Sequence, residues 1–151
     1  MTRFHSHSLR QGRYSGSNQI YSITTVTHLR QSLLNDFPTG RIVVETMKNL
    51  HNSERVSSLA FVIMPDHIHW LIQLKNQNLA KVMQAFKGVS AKHINQHLDR
   101  QGSFWQAGYH EHAIRKEEDL TNVARYIVAN PLRAGLVKKV GDYPLWDAVW
   151  L

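Results

Sequence analysis

From Val56 to Leu74 the chain reads VSSLAFVIMPDHIHWLIQL. Two runs rich in β-branched and aromatic residues, Val56–Met64 and His67–Leu74, are separated by Pro65-Asp66. Proline cannot donate to a sheet ladder and sits best at a strand boundary, so the segment reads as two strands around a sharp break. Side chains i and i+2 share a strand face. His67, His69, Leu71 and Gln73 therefore point one way, and Ile68, Trp70, Ile72 and Leu74 the other. The second set is wholly apolar and is the face that helices would cover.

Upstream, Ile20–Val26 (IYSITTV) reads as a strand. Pro38-Thr39-Gly40 then precedes Ile42, Val43, Thr46, Met47 and Leu50, spaced for one helical face, and the polar turn His51–Arg55 leads back to the central pair. Downstream, Asn78 is an N-cap for a helix to about Leu98, with Leu79, Val82, Met83, Phe86, Val89 and Ile94 as its apolar stripe. Gly102 breaks the chain, and Tyr109–Ile114 reads as a fourth strand. Glu117, Glu118 and Asp119 suit the positive end of a last helix, which Pro131 should stop near Asn130. The closing GDYPLWDAVWL is expected to dock on the core as coil. The order predicts an α+β, ferredoxin-like βαββαβ antiparallel sheet with an extra C-terminal helix. Residues 1–151 read as a single domain, with 1–19 a basic N-terminal arm.

The chain of 151 residues can bury its own core, and 42% hydrophobic with 19% charged residues marks a globular class. A formal charge of +7 favours polyanionic partners, nucleic acid above all, although the same surplus also serves plain solubility. With no cysteine, a disulfide framework and a thiolate metal site are excluded, so any metal must use His, carboxylate, amide or water. No secretory signal or membrane-spanning run is read, and the expected compartment is cytoplasmic.

His67 and His69 stand side by side on the more polar sheet face. Such a pair either hydrogen-bonds without a ligand or holds one divalent cation. His5-Ser6-His7 and His110-Glu111-His112 show that the spacing also arises by chance in a chain with ten histidines. The His-Glu-X-X-His motif of zinc hydrolases is absent. On the last helix Leu120, Val123, Ala124 and Ile127 form the apolar stripe, and Tyr126 lies roughly 130° from its centre. Tyr126 thus either packs at the sheet edge with its hydroxyl bonded, or serves as a nucleophile. Asn130 lies one turn on, and Arg125 and Arg133 add charge suited to a phosphate.

Together these segments resemble the HUH single-tyrosine transposases, specifically the REP-associated tyrosine transposase branch. The matching residues are Met64-Pro65-Asp66-His67-Ile68-His69-Trp70, Phe104-Trp105-Gln106, Tyr109-His110-Glu111-His112, the run from Tyr126 to Val137 (YIVANPLRAGLV) and Asp142-Tyr143-Pro144. The likeness extends from about Leu9 to Leu151. It implies a ferredoxin-like fold, with His67, His69 and Asn130 binding Mg²⁺ or Mn²⁺. It further implies that Tyr126 attacks a phosphodiester, forming a 5′-phosphotyrosine link and freeing a 3′-hydroxyl. The implied substrate is single-stranded DNA folded into a REP-like hairpin with a short tetranucleotide at its foot. Arg10, Arg13 and Tyr14 of the arm would contact that DNA. Lys81, Lys87 and Lys92 are either phosphate contacts or a solvated helix face. His112 is either an alternative ligand or structural. The branch favours a monomer, the alternative being a homodimer that exchanges the tyrosine helix.

Other histidine chemistries fit poorly. A histidine-triad hydrolase needs a third alternating histidine where Leu71 stands, and a two-histidine phosphoesterase needs paired His-X-Thr/Ser motifs that do not occur. A non-catalytic single-stranded nucleic-acid-binding or regulatory module on the same fold is the remaining alternative.

Overall fold

The computed structural model describes residues 18–115 and 119–149. Arg10, Arg13, Tyr14, Glu117 and Glu118 lie outside them. Strand β1 (Ile20–Val26) is followed by helix α1 (Phe37–Asn52), strands β2 (Val56–Ile63) and β3 (His67–Leu74), helix α2 (Leu79–Leu98), strand β4 (His110–Ala113), helix α3 (Leu120–Val128), the short helix α4 (Asn130–Arg133) and strand β5 (Trp146–Ala148). The sheet order is β4-β1-β3-β2-β5, antiparallel at every pairing. The first four strands have the expected ferredoxin-like arrangement, and β3 at the centre carries the histidine pair.

Each face of β3 has its own cover. Ile68, Trp70, Ile72 and Leu74 are fully buried in a cluster with Val43 and Met47 of α1 and Val82, Met83 and Phe86 of α2. On the opposite face Leu71 joins Ile20, Ala60 and Val62 beneath Leu120, Ala124, Ile127 and Val128. Helix α3 thus covers only part of that face. The rest stays open, and His67 and His69 are half-buried there.

Four local expectations change. Pro38, Thr39 and Gly40 lie inside α1, which begins at Phe37 with Asp36 as N-cap. Proline is tolerated in a first turn because its missing N–H would be unpaired there anyway. Gly40 lets Leu145 pack closely, since a Cβ there would force the Leu145 side chain to shift. On α2 the buried position belongs to Ser90, whereas Val89 is 41% exposed. Ser90 continues the Met83–Phe86 row, and its small side chain leaves room for Trp105, whose indole donates to Ser90 Oγ at 2.9 Å. Ser90→Ala would strand that buried N–H, and is expected to cost about 1–3 kcal/mol in urea unfolding.

Pro131 does end a helix, but α3 closes at Val128 and the chain turns at once into α4 with Pro131 in its first turn. Finally, the C-terminal segment forms a strand where coil was expected. Trp146 pairs with Val62 and Ala148 with Ala60, flanked by Ile63 N–H to Leu145 O and Val149 N–H to Leu59 O. These bonds satisfy a β2 edge that would otherwise be left unpaired. Among the described residues no helix is long and apolar enough to cross a membrane.

Candidate active site

The β1–β3 register sets Val26 opposite His67, Thr24 opposite His69 and Ser22 opposite Leu71, which places Ser22 and Thr24 on the histidine face. The two imidazoles meet edge to face with ring centroids 4.9 Å apart. Each has its Nδ1 engaged. His67 Nδ1 is 2.7 Å from Asp66 Oδ1, and His69 Nδ1 is 2.9 Å from Thr24 Oγ1. With Nδ1 committed, Nε2 is the nitrogen left on each ring to meet a ligand, the arrangement usual for metal-binding histidines.

The electrostatics agree. Burial, then the charges of His67 and Arg133, push His69 down to about 4, so its ring is neutral near pH 7 and keeps a lone pair. Burial alone would raise the Asp66 carboxyl. The hydrogen bond from His67 and the charges of His67 and Arg30 outweigh it and hold Asp66 below its ordinary value. Asp66 therefore remains an anion able to orient His67.

Helix α3 is held by Asp119, whose Oδ1 accepts from Thr121 N–H at 2.9 Å. Asp119 begins an amphipathic turn pattern that sends Leu120, Ala124 and Ile127 into the core and leaves Tyr126 67% exposed. Tyr126, Asn130 and Arg133 line one cleft of about 460 Å³ together with His69, Ser22 and Thr24. Arg133 lies over the tyrosine ring, its Cζ 3.7 Å from the ring centroid.

No group of three His, Cys, Asp or Glu residues among the described residues could hold a metal. A third protein donor must then be of another kind, and Asn130, which carries an amide oxygen, lines the same cleft as His69. Two imidazole nitrogens, one side-chain amide and water make a nitrogen–oxygen donor set compatible with Mg²⁺ or Mn²⁺. The residues present fit the ion.

Comparison with known proteins follows the same line. Residues 15–130 match the family model described as Transposase IS200 like. The chain belongs to this family. It is 34% identical over 98 residues to a Haemophilus influenzae protein named for the REP-associated tyrosine transposases, covering 58% of this chain and 56% of that one. It is 31% identical over 87 residues to the REP-associated tyrosine transposase of Escherichia coli K12, covering 56% of this chain and 50% of that one. The chain thus spans about half the length of the curated relatives it matches. A solved REP-associated tyrosine transposase bound to a REP hairpin has the same fold, with TM-score 0.71 and 23% identity over 89% of this chain and 79% of that one.

In this member of the family the cleft gathers His69, Tyr126, Asn130 and Arg133, and His67 joins through its contact with His69. Arg125 is exposed on α3 and is not among the residues lining the cleft. Lys87 is elsewhere. It lies on α2, which covers the opposite sheet face, and its Nζ donates to Gln106 O at 2.8 Å and Gly108 O at 2.7 Å. Its ammonium ties down the chain before β4, and burial lowers its pKa. Lys81 and Lys92 are exposed on the same helix. His112 pairs across from Ser22, one row away from Thr24 and His69.

Sequence reasoning missed Thr24, Ser22 and the orienting role of Asp66. Asp66 carried a usable signal, a carboxylate directly before a candidate ligand. Thr24 carried none, because it meets His69 only through strand register across 45 positions. Asp66→Asn removes the anion that fixes His67 while keeping size. It is expected to weaken Mn²⁺ binding by about 10- to 100-fold, read by paramagnetic titration.

Proposed function

We propose that this IS200-like transposase cuts and rejoins single-stranded DNA through Tyr126, in a site that takes Mg²⁺ or Mn²⁺, and that its substrate is hairpin-forming, REP-like DNA. The observation that carries the reading is the meeting of Tyr126 with His69, Asn130 and Arg133 in one cleft. A tyrosine two-thirds exposed beside a cation and a pair of oriented imidazoles is poorly explained as a packing residue. The hairpin as partner is supported by the fold shared with a relative solved on such DNA.

The phenol oxygen of Tyr126 forms a bond to phosphorus as the bond from phosphorus to the 3′-oxygen breaks. The 3′-oxygen leaves with the electron pair and takes up a proton, and the phenol proton passes to solvent. The product is a 5′-phosphotyrosine link and a free 3′-hydroxyl, and attack by a 3′-hydroxyl reverses it. His67 and His69, fixed by Asp66 and Thr24, and Asn130 would hold the ion, while Arg133 offers N–H donors to phosphate oxygens. When bound, the ion supplies Lewis-acid stabilisation of charge developing on the phosphate.

The test uses end-labelled hairpin strands from the DNA flanking the gene, with Mg²⁺, Mn²⁺ or EDTA. A protein–DNA band that survives denaturation, forms with either ion and disappears with EDTA is the expected result. Tight hairpin binding with no covalent product, across many sequences and both ions, would instead make the chain a non-catalytic binding module.

A further inference from the structure

We infer that Arg133 is the positioning residue of the nucleophile, a guanidinium clamp that holds the Tyr126 ring in register with the histidines. The inference rests on the reading of Tyr126 as the attacking group, and assigns to Arg133 a task distinct from neutralising phosphate.

Tyr126 needs such a clamp. Its ring is 67% exposed on a surface helix, where an aromatic side chain is free to change rotamer. Among the described residues no hydrogen bond restrains its hydroxyl, so the ring contacts set its direction. The side chains nearest along its own helix, Asn122, Val123 and Asn130, line the same cleft. What lies over the ring face is Arg133, at 3.7 Å from Cζ to centroid. This is a stacking distance, and a planar guanidinium stacks where an ammonium cannot.

The clamp is built by the chain break after α3. In one continuous helix the two residues would stand about 10.5 Å apart along the axis. Here Ala129 ends α3, Pro131 is buried in the first turn of α4, and Gly135 at φ 77° ends α4 just beyond Arg133. Arg133 is thus mounted on its own short, anchored turn and reaches back over Tyr126. No carboxylate among the described residues pairs with Arg133, so the ring is its partner. With its Cζ over the ring, its N–H groups can still donate to phosphate oxygens. One side chain can thereby set ring and phosphate relative to each other, the term that orientation contributes to rate.

Arg133→Lys separates the two tasks, because it keeps the charge and loses the planar stack. The full chain and this variant are compared on the same hairpin strand in single-turnover adduct formation at saturating DNA, in hairpin dissociation constant, and in the NMR signals of the residue 133 side chain. In the unmodified chain, ring-current shifts on the Arg133 δ-methylene that vanish in Tyr126→Ala are expected. In Arg133→Lys, adduct formation falls by on the order of tenfold or more while the dissociation constant changes by less than about threefold. A variant that forms adduct at the original rate, or an unmodified chain without the ring-current shift, overturns the clamp and leaves the proposed function standing. If the unmodified chain shows the shift but forms no adduct, the proposed function fails, and the positioning role falls with it. Loss of hairpin affinity with an unchanged rate at saturation makes Arg133 a phosphate contact only, which also overturns it.

Discussion

Tyr126→Phe is expected to abolish the covalent DNA–protein product, lowering cleavage by on the order of 10⁴-fold or more, with hairpin affinity unchanged within about threefold. The substitution removes one oxygen and nothing else from the cleft. Phenylalanine keeps the ring beneath Arg133, so the surface met by DNA is the same. It has no group that can bond to phosphorus, and the step loses its nucleophile outright. The folded state should hardly notice. Tyr126 is 67% exposed, and a surface change of this kind is worth within about 0.5 kcal/mol. Adduct formation, hairpin binding and urea unfolding measured on one preparation give the pattern: activity lost, binding and stability kept. A variant that still cleaves at the original rate would remove Tyr126 from the chemistry.

Trp70→Ala is expected to carry the largest loss of stability, about 3–5 kcal/mol in urea unfolding. Trp70 is fully buried at the middle of β3, packed against Phe86 of α2 with centroids 5.0 Å apart, and its indole donates to Ser58 Oγ at 2.8 Å. Alanine leaves a cavity of nearly a whole indole and strands the serine hydroxyl. Natural domains hold only about 5–15 kcal/mol in reserve, so the effect is a large share of the total. It also reaches the site, because Trp70 and His69 are neighbours on the strand with opposite facings. Loosening one face of β3 loosens the seat of the histidines on the other. Trp70→Phe retains most of the packing and loses the hydrogen bond, and is expected to cost about 1–3 kcal/mol. Equal losses for the two variants would mean that the hydrogen bond, rather than the packing, dominates at this position.

Much of this was legible from local pattern. The limits of β1 and β3, the run of α2 from its Asn78 cap, and the opposed facings of His69 and Trp70 follow from strand alternation, capping and helical period. These depend on a few consecutive residues and on each side chain meeting either core or water. The errors came where two elements compete for one space. Ser90 displaced Val89 from the core because Trp105, from a distant segment, needed both room and an acceptor. The terminal coil became β5 because β2 had an open edge. That the Lys87 ammonium holds two carbonyls of the passing chain was likewise invisible in the local pattern.

By itself, then, the sequence determined the order of the first four strands and the helices between them, the ferredoxin-like sheet, the shared strand face of His67 and His69, and the place of Tyr126 off the apolar stripe of its helix. Periodicity and residue type act over one or two turns, and that reach is enough for these. Only the tertiary structure decided which of them share a cleft, that Asp66 and Thr24 engage the Nδ1 atom of each histidine, and that Arg133 lies on the ring of Tyr126 while Arg125 stays outside. Those are distances between atoms far apart along the chain. They are set by strand register and by the break between α3 and α4, which no local pattern encodes.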